Sequence, residues 1–512
     1  MTVTSFFFLI FLLVGMMIYY AVSGRGQWVV LLGMSLCYYM LAAADNTIIY
    51  LIVSTLLAYI SGNILEIQRV KDSSRGKKWI TVVTVVAVFG NVCLWFLLKG
   101  SSFWVLGSEI LHSKITGFPV LSPLPMASAL GMGYYTAQVV GYIMDCYWET
   151  IEPQRNFLKL LLFVIFFPQL TVGPISHYSQ LQCLYERHKF SYQNLCLGSQ
   201  RILWGFFKKI VISDRINIIT SGIWADTATY NGRWVWLAVF LYPIQLYTDF
   251  SGCMDIILGA GELFDIRLPE NFKNPFFSRT VQEFWQRWHI TLGAWAKDYI
   301  YYPVLKSMPV LKLGKWAKKH FSKRIAKLIP WTVGMVVLWF VMGFWHGSLR
   351  HIFGVSLWFG LILVLGEYVS PLLKKVVVVL KIDTECFSWR LFQRIRTYVL
   401  YALGAVFFSA LSLKNALERY TILFSVPDEI NFEITINDLG VTYEDINLII
   451  IGCVLLLTVA VLREKFGYAR NWMQKQLLPF RWLVWLTLFI IVLIYGLYGP
   501  GYDASTFIYE GF

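Results

Sequence analysis

Charge is scarce in this sequence. Asp, Glu, Lys and Arg make up 14% of its 512 residues, against about 25% in soluble domains. Hydrophobic residues make up 57%, and the mean hydropathy is +0.59. This balance excludes an ordinary soluble domain and indicates an all-α membrane protein that crosses the bilayer several times. The net charge of +14 is more typical of basic cytoplasmic loops than of nucleic-acid binding, so no nucleic-acid partner is expected.

Common site motifs are also missing. The sequence has no CxxC pair and no zinc-ligand spacing, and its eight cysteines are scattered, mostly inside apolar runs. We interpret them as small core residues. The patterns GxxxxGK(S/T), GxSxG and HExxH do not occur, which excludes the familiar motifs for phosphate cradles, serine nucleophiles and zinc hydrolysis.

Apolar runs recur from end to end, and a helical span needs roughly 20 such residues. The clear runs are 4–22, 27–44, 47–65, 79–98, 157–173, 234–247, 330–345, 352–370, 398–412, 446–462 and 481–498. Less even stretches at 123–148, 196–213 and 276–305 predict broken or re-entrant helices, which need protein or a water-filled cavity around their backbone. The first run lacks a small-residue cleavage site, so we expect a retained span.

Loop charge predicts the orientation of these spans. The loop 69–78 and the segment 312–327 are basic and should be cytoplasmic, whereas 420–462 contains no Lys or Arg and should lie outside. This map places both termini outside. It also makes 330–345 and 352–370 a hairpin with HGSLRH at its tip. The cations of 312–327 recur along one face of a predicted helix, which suits either an anionic lipid surface or a solvated cytoplasmic helix.

Ionisable residues collect in one stretch, 246–303, which is otherwise rich in aromatic side chains. Such residues at membrane depth are usually paired or functional. Because the two signs nearly balance, we expect pairing within the stretch. We expect a polar pocket there, walled by Trp285, Trp288 and Trp295.

Two histidines are candidates for chemistry. His289 follows Trp285 and Trp288 within one helical turn and should share a face with an indole, while Arg287 should pair with Glu283 four residues earlier. His346 follows Trp345 and precedes Gly347 at the hairpin tip. A neutral imidazole is the natural base for a hydroxyl, although a histidine flanked by aromatic residues is more often a hydrogen-bonded packing residue than a catalyst. No metal is expected, since His351 alone adds no third ligand at helical spacing.

Several motifs are similar to those of one known family. They are FPQLTVGPISHYSQL at 167–181, then YTDFSGCMDI, RLPENFKNPF and EFWQRWHITLGAWAKDYIYYP, and finally FWHG. Together they resemble the membrane-bound O-acyltransferase family, and within it the bacterial alginate O-acetyltransferase branch, with the D-alanyl transfer proteins of teichoic acid nearby. The resemblance runs from about residue 125 to the C-terminus.

The resemblance implies a ring of about eleven transmembrane helices plus re-entrant segments around a central tunnel. It divides the chain into N-terminal helices (1–122), a catalytic core (123–420) and a C-terminal part (421–512). His346 matches the principal catalytic histidine and His289 the second polar position. Arg287, Trp285, Trp288, Asp298 and Trp345 would support the pocket. No bound cofactor is implied. The donor would be an acyl-CoA, acetyl-CoA above all, or an acyl carrier protein.

The tail STFIYEGF contains an F-x-Y-x-x-F pattern centred on Tyr509. It resembles a family motif whose tyrosine is proposed to carry the acyl group. The resemblance implies an enzyme of the bacterial cytoplasmic membrane, embedded in lipid, that acylates a cell-surface polysaccharide with an extracytoplasmic SGNH-type partner. The alternatives are an aromatic tail that only anchors at the interface, D-alanyl transfer to teichoic acid and, from another class, a polysaccharide-export scaffold or transporter.

Overall fold

The protein is described from a computed structural model that covers residues 1–22, 24–43, 47–70, 74–99, 130–425, 435–467, 469–499 and 502. Over these residues the secondary structure is helical and contains no strand, apart from an isolated bridge between Phe272 and Trp288. The predicted all-α class is therefore confirmed. The tail with Tyr509 lies outside the described residues.

The chain forms two compact units. The first contains Met1–Phe206, Cys253–Glu270 and the end of the chain from Tyr498, and the second contains Phe207–Gly252 and Asn271–Leu497.

The first unit is built from apolar helices. They are Phe6–Ala21, Gln27–Ala42, Ile48–Val70, Ser74–Lys99, Met132–Tyr147, Phe157–Ile165 and Tyr192–Phe206, with a 3-10 helix at Tyr178–Tyr185. The long helix Arg233–Leu263 contributes its last residues to this unit and its first residues to the second unit. Side-chain oxygens fix several helix starts. The Asn156 carboxamide, for example, accepts hydrogen bonds from the backbone N–H groups of Leu158 and Lys159.

The second unit holds the remaining helices. They are Asp214–Ala225, Val281–Arg287, Ile290–Ala296, Tyr302–Lys306, Met308–His320, Lys323–Trp345, Leu357–Val379, Phe387–Ser409, Leu413–Phe424, Tyr443–Phe466, Ala469–Gln474 and Leu478–Tyr495. Short 3-10 helices lie at Pro275–Phe277 and Ile436–Leu439, and wider π turns at Phe207–Ser213, Lys297–Tyr301 and Arg350–Ser356. The π turns matter because such irregular helix is frequent at functional sites.

Six of the described helices are long and apolar enough to cross a membrane. They are Ile48–Arg69, Gly76–Phe96, Lys323–Trp345, Arg350–Val379, Tyr443–Phe466 and Leu478–Tyr495, and two shorter apolar helices open the chain. Each falls on a predicted run, and the predicted hairpin is present, since only four residues separate Trp345 from Arg350. The stretch 276–305 is broken, as expected.

Three predictions about local structure were wrong. The run 157–173 is helical only to Ile165. The basic segment 312–327 is not one helix, because the helix Met308–His320 ends at an extended Phe321 and a new helix begins at Lys323. Of the cysteines, only Cys146 and Cys253 are buried, so most are not core residues.

Candidate functional site

The first site residue, His289, lies at a break between two helices. The helix Val281–Arg287 ends in an extended Trp288, and His289 adopts a left-handed backbone with φ +45° before the next helix begins at Ile290. Such a conformation costs about 1–3 kcal/mol for a residue other than glycine and persists only where surrounding contacts impose it. Contacts with residues more distant in the sequence must therefore hold this backbone conformation.

Asn271 provides those contacts. Its backbone carbonyl accepts a hydrogen bond from Ile290 N (3.0 Å), and its side-chain Oδ1 accepts from Thr291 N (3.1 Å) and Thr291 Oγ1 (2.9 Å). The same Oδ1 lies 3.2 Å from His289 Nδ1. Because the backbone N–H of Thr291 can only donate, the atom it meets must be the amide oxygen. His289 Nδ1 must then carry a proton, and in the neutral ring the lone pair is on Nε2.

Aromatic rings enclose the His289 imidazole, which is 4% exposed. Phe250 meets it edge-on with 4.9 Å between ring centroids, and Trp345 lies at 6.5 Å. His289 is outside the six apolar spans, and burial lowers its pKa. The ring is therefore neutral at physiological pH. The prediction that His289 shares a helical face with Trp285 was wrong, because the helix is interrupted between them.

The second site residue, His346, ends the first hairpin helix. Gly347 follows with φ +78°, a conformation in which glycine avoids the strain that a side chain would bring. The two arms of the hairpin approach closely, since a Cβ at Gly343 would lie 2.3 Å from Ser356 Oγ. His346 itself is only half-buried, in contrast to His289.

A third imidazole lies flat against His346. The rings of His346 and His351 stack with 4.9 Å between centroids and 23° between planes, and Phe408 packs edge-on against both. His351 is 1% exposed, and its Nδ1 lies 2.6 Å from Ser348 Oγ. The hydroxyl thus fixes the orientation of His351, which in turn supports one face of His346.

Trp345 joins the two candidate histidines. Its ring lies 6.5 Å from that of His289 and 4.9 Å from that of His346. Both residues belong to the second unit. Two segments 57 positions apart in sequence therefore bring their imidazoles against one indole.

The other predicted support residues have varied surroundings. Arg287 forms the predicted ion pair with Glu283 (2.8 Å) and a second with Glu464 (2.7 Å). Trp285 packs against Trp339 and Phe359. Two further members complete the predicted set. They are the buried Trp288, stacked on Phe284, and the half-buried Asp298, on the π turn Lys297–Tyr301.

Several residues of this region were missed by the sequence analysis. Asn271 and Ser348 carried no signal of their own. Lys208 and Lys209, buried on the π turn Phe207–Ser213, had a signal: adjacent lysines inside an apolar run. Lys208 donates to Ser251, and Lys209 pairs with Asp214 (2.8 Å) and Asp249 (2.7 Å).

Pairing of the charged residues in 246–303 also differs from the prediction. The ion pair of Arg287 with Glu283 lies within the stretch, whereas other carboxylates of the stretch pair with cations outside it. In the first unit Asp255, Glu262 and Glu270 all pair with Arg201, and in the second Asp249 pairs with Lys209. The carboxylates of this stretch thus neutralise buried cations from the preceding helices. Among the described residues no group of three His, Cys, Asp or Glu side chains could hold a metal ion.

Comparison with known proteins identifies the family of the chain. The chain is 27% identical over 355 residues to a probable alginate O-acetylase of Pseudomonas syringae, a match covering 69% of this chain and 61% of that protein. It is 27% identical over 311 residues to a peptidoglycan O-acetyltransferase of Helicobacter pylori (56% and 54%). It is 29% identical over 231 residues to a teichoic acid D-alanyltransferase of Bacillus subtilis (44% and 55%). The matches thus span less than two thirds of these three relatives.

The family model of the membrane-bound O-acyltransferases matches residues 78–367. This range is more than half of the chain and includes His289, the hairpin tip and His346. The chain belongs to the membrane-bound O-acyltransferase family.

Proposed function

We propose that this protein is an O-acyltransferase that takes an acyl group, acetyl above all, from a cytoplasmic thioester and delivers it for O-acylation of a cell-surface polysaccharide. The observation that carries the proposal is the placement of His289 and His346 against the same indole, Trp345. Two imidazoles at one place supply both a proton acceptor and a polar group for an incoming hydroxyl. The names of the relatives support the same reaction class.

His346 acts as the general base. It removes the proton from the acceptor hydroxyl as the oxygen attacks the thioester carbonyl. The new C–O bond forms, the C–S bond breaks, and the imidazolium returns its proton to the departing thiolate. Positioned general bases contribute about 10²–10⁴-fold to such reactions. The half-buried ring at a hairpin tip suits this role, because it must reach a substrate.

His289 positions the acceptor. Its Nδ1–H is directed to Asn271 Oδ1, so the lone pair of the neutral ring is on Nε2, where it can accept a hydrogen bond from another N–H or O–H group of the bound acceptor, since the proton of the reacting hydroxyl goes to His346. Polarising the thioester carbonyl, the other role considered for His289, would need a proton on Nε2. The neutral ring does not carry a proton on Nε2. The hydrogen bond from Nδ1–H to Asn271 Oδ1 therefore favours the role of positioning the acceptor.

The acyl group travels by way of the C-terminal tail in this proposal. Tyr509 in the F-x-Y-x-x-F pattern accepts it first, and an extracytoplasmic SGNH-type partner transfers it to the polymer. The chain would act in the bacterial cytoplasmic membrane, with both termini outside and acetyl-CoA arriving from the cytoplasm. The basic segments 308–320 and 323–327 would face that donor.

Mass spectrometry of the C-terminal peptide tests the proposal. Membranes with the wild-type protein, supplied with isotope-labelled acetyl-CoA, should give a labelled peptide containing Tyr509. Tyr509→Phe should abolish the label, and His346→Ala should lower its rate of appearance. His320→Ala is a matched control, because His320 is exposed and its Nδ1 bonds to its own helix at Trp316. Full polymer acylation by Tyr509→Phe would contradict the tail route.

D-alanyl transfer from a carrier protein is the second candidate. The match to a teichoic acid D-alanyltransferase favours it, and the basic segments could dock an acidic carrier. The same peptide separates the two, since an attached D-alanyl group and an attached acetyl group differ in mass.

A further inference from the structure

Two arginines of the helix Phe387–Ser409 hold a nearby loop of the second unit. Arg394 Nε donates a hydrogen bond to the Phe277 carbonyl (3.2 Å), and Arg396 Nη2 donates to the Arg279 carbonyl (2.8 Å). These carbonyls are two positions apart in sequence and lie within about 7 Å of each other, so the two guanidinium groups are neighbours. We call the loop and the start of the helix the arginine corner (277–279 and 389–396).

The positive charge of the arginine corner is weakly compensated. Arg394 and Arg396 are half-buried, and no described Asp or Glu forms an ion pair with either one. Arg279 meets Glu385 across 3.9 Å, with side chains that are 37% and 72% exposed, and such an exposed pair contributes little. Glu283 accepts a hydrogen bond from the Arg279 backbone N–H, but its carboxylate already forms the ion pair described above.

The arginine corner also contains buried polar atoms. Ser278, which lies between the two bound carbonyls, is 1% exposed. Its Oγ has no hydrogen-bond partner among the described residues, and the same is true of Trp389 Nε1 and Gln393 Oε1. Buried polar atoms normally have a partner. A guanidinium carries five N–H donors, so the corner combines spare charged donors with a hydroxyl and an indole N–H. This set of groups suits a phosphate.

The arginine corner lies on the side of the membrane that loop charge predicts to be cytoplasmic. Arg324, near the start of the first hairpin helix, bonds to Glu367 and Ser370 near the end of the second. The open ends of the hairpin are therefore together. The second hairpin helix ends at Val379, shortly before the corner, so the corner is on the same side as the basic segment 323–327.

The arginine corner is also within reach of the candidate histidines. The loop 277–279 is followed by the helix Val281–Arg287, whose seven residues rise about 10 Å, and then by His289. A pantetheine arm has about as many bonds along its length as four residues and spans about 14 Å when extended. A phosphate held at the corner could therefore place a thioester beside His289.

We propose that the arginine corner binds the diphosphate and the 3′-phosphate of an acyl-CoA. Guanidinium groups match phosphate oxygens with paired hydrogen bonds. The inference rests on the proposed function and deepens it, because it makes free acyl-CoA the donor. A pantetheine on a carrier protein has a single phosphodiester and no adenosine 3′-phosphate, and it would leave part of the corner unused.

Binding can be measured separately from acyl transfer, because CoA without an acyl group cannot react. The probes are CoA, 3′-dephospho-CoA and pantetheine, titrated calorimetrically into the purified full-length protein in detergent. We expect the affinity to fall in that order. Arg394→Met and Arg396→Met should each weaken CoA binding at least about tenfold and reduce the preference for CoA over 3′-dephospho-CoA. In transfer assays they should raise the KM for acetyl-CoA and leave kcat unchanged.

Controls separate binding from folding. Arg233→Met is matched, because Arg233 is exposed and lies 5.5 Å from the centre of the Trp234 ring, much as Arg394 lies 5.2 Å from that of Phe277. It should leave CoA binding unchanged. If a methionine variant does not fold, Arg394→Lys and Ser278→Ala carry the test. Arg394→Lys keeps the charge without the planar fork, and both variants should bind CoA more weakly than the wild type.

Equal affinity for CoA and pantetheine would overturn the inference, and so would unchanged CoA binding in both methionine variants. Phospholipid headgroups are another source of phosphate esters. If the variants lost bound phosphatidylglycerol in native mass spectrometry and kept their affinity for CoA, the corner would be a lipid site and the inference would be wrong. Arginine-dependent CoA binding without acyl transfer by the wild-type protein would reject the proposed function and leave the phosphate site standing.

Discussion

The two candidate histidines differ in how the fold holds them. His289 is enclosed, sits on a strained backbone and is fixed through Nδ1 by Asn271. His346 is half-buried at a hairpin tip, with its ring stacked on His351. A fixed, enclosed ring suits positioning, whereas a reachable ring suits proton transfer. Two imidazoles beside the same tryptophan can therefore have different roles.

Replacing the reachable histidine should have the largest effect. His346→Ala removes the general base, and we expect acyl transfer to fall by about 10³-fold with the protein level unchanged. Single-turnover transfer from labelled acetyl-CoA measures the rate, with His320→Ala as the matched variant. A rate within tenfold of the wild type would remove His346 from the mechanism.

Replacing the enclosed histidine should cost less. His289→Ala leaves the base in place and removes the acceptor's hydrogen-bond partner, so we expect a loss of about 10²-fold, expressed partly as a higher KM for the acceptor. Steady-state rates measured over a range of acceptor concentrations show how the loss divides between kcat and KM. A loss equal to that of His346→Ala, entirely in kcat, would mean that the two rings act as one unit. The separate roles of positioning and proton transfer would then be wrong.

The hydrogen bond from His289 Nδ1–H to Asn271 Oδ1 predicts how activity depends on pH. In Asn271→Asp a carboxylate would face Nδ1 and favour the imidazolium, so it would raise the pKa of His289 that burial now lowers. The lone pair on Nε2 is lost below the raised pKa. The pH at which the KM for the acceptor rises on acidification, which reports the Nε2 lone pair of His289, should therefore move upward by about one to two units. Asn217→Asp, at an amide that bonds to Gln245, should not move it.

The smallest effect is expected at the stacked ring. His351→Phe keeps a flat partner for His346 and loses the bond to Ser348, so the rate should fall by less than about tenfold. Ser348→Ala should match it. A loss of rate as large as that of His346→Ala would show instead that His351 itself takes part in proton transfer. The pH–rate profile of the Phe variant would then lack one ionisation.

Much of this arrangement could be predicted from the sequence because its signals are local. The hairpin follows from two adjacent apolar runs that are both flanked by basic segments, and the Arg287–Glu283 pair follows from helical spacing. The contacts made by residues distant in sequence could not be predicted. Asn271 lies 18 residues before His289, and Glu464 lies 177 after Arg287. No periodicity signals such pairs, and the left-handed backbone of His289 follows from one of them.

The charged stretch shows the same limit. Its carboxylates were correctly expected to be paired, yet most of their partners, such as Arg201 and Lys209, precede the stretch in sequence. Near-equal numbers of positive and negative residues within a stretch indicate that the charges are neutralised. They do not identify the ion-pair partners, because helix packing decides which cation lies nearest to each carboxylate.

In the proposed mechanism the acyl group reacts between the imidazoles of His289 and His346. A cryo-electron microscopy structure with a non-hydrolysable thioether analogue of acetyl-CoA tests it most directly. We expect the atom replacing the carbonyl carbon to lie beside Trp345, with space for a hydroxyl about 3–3.5 Å away that is within hydrogen-bond reach of His346 and next to His289. An analogue bound with its acyl end elsewhere, and neither imidazole near it, would contradict the account.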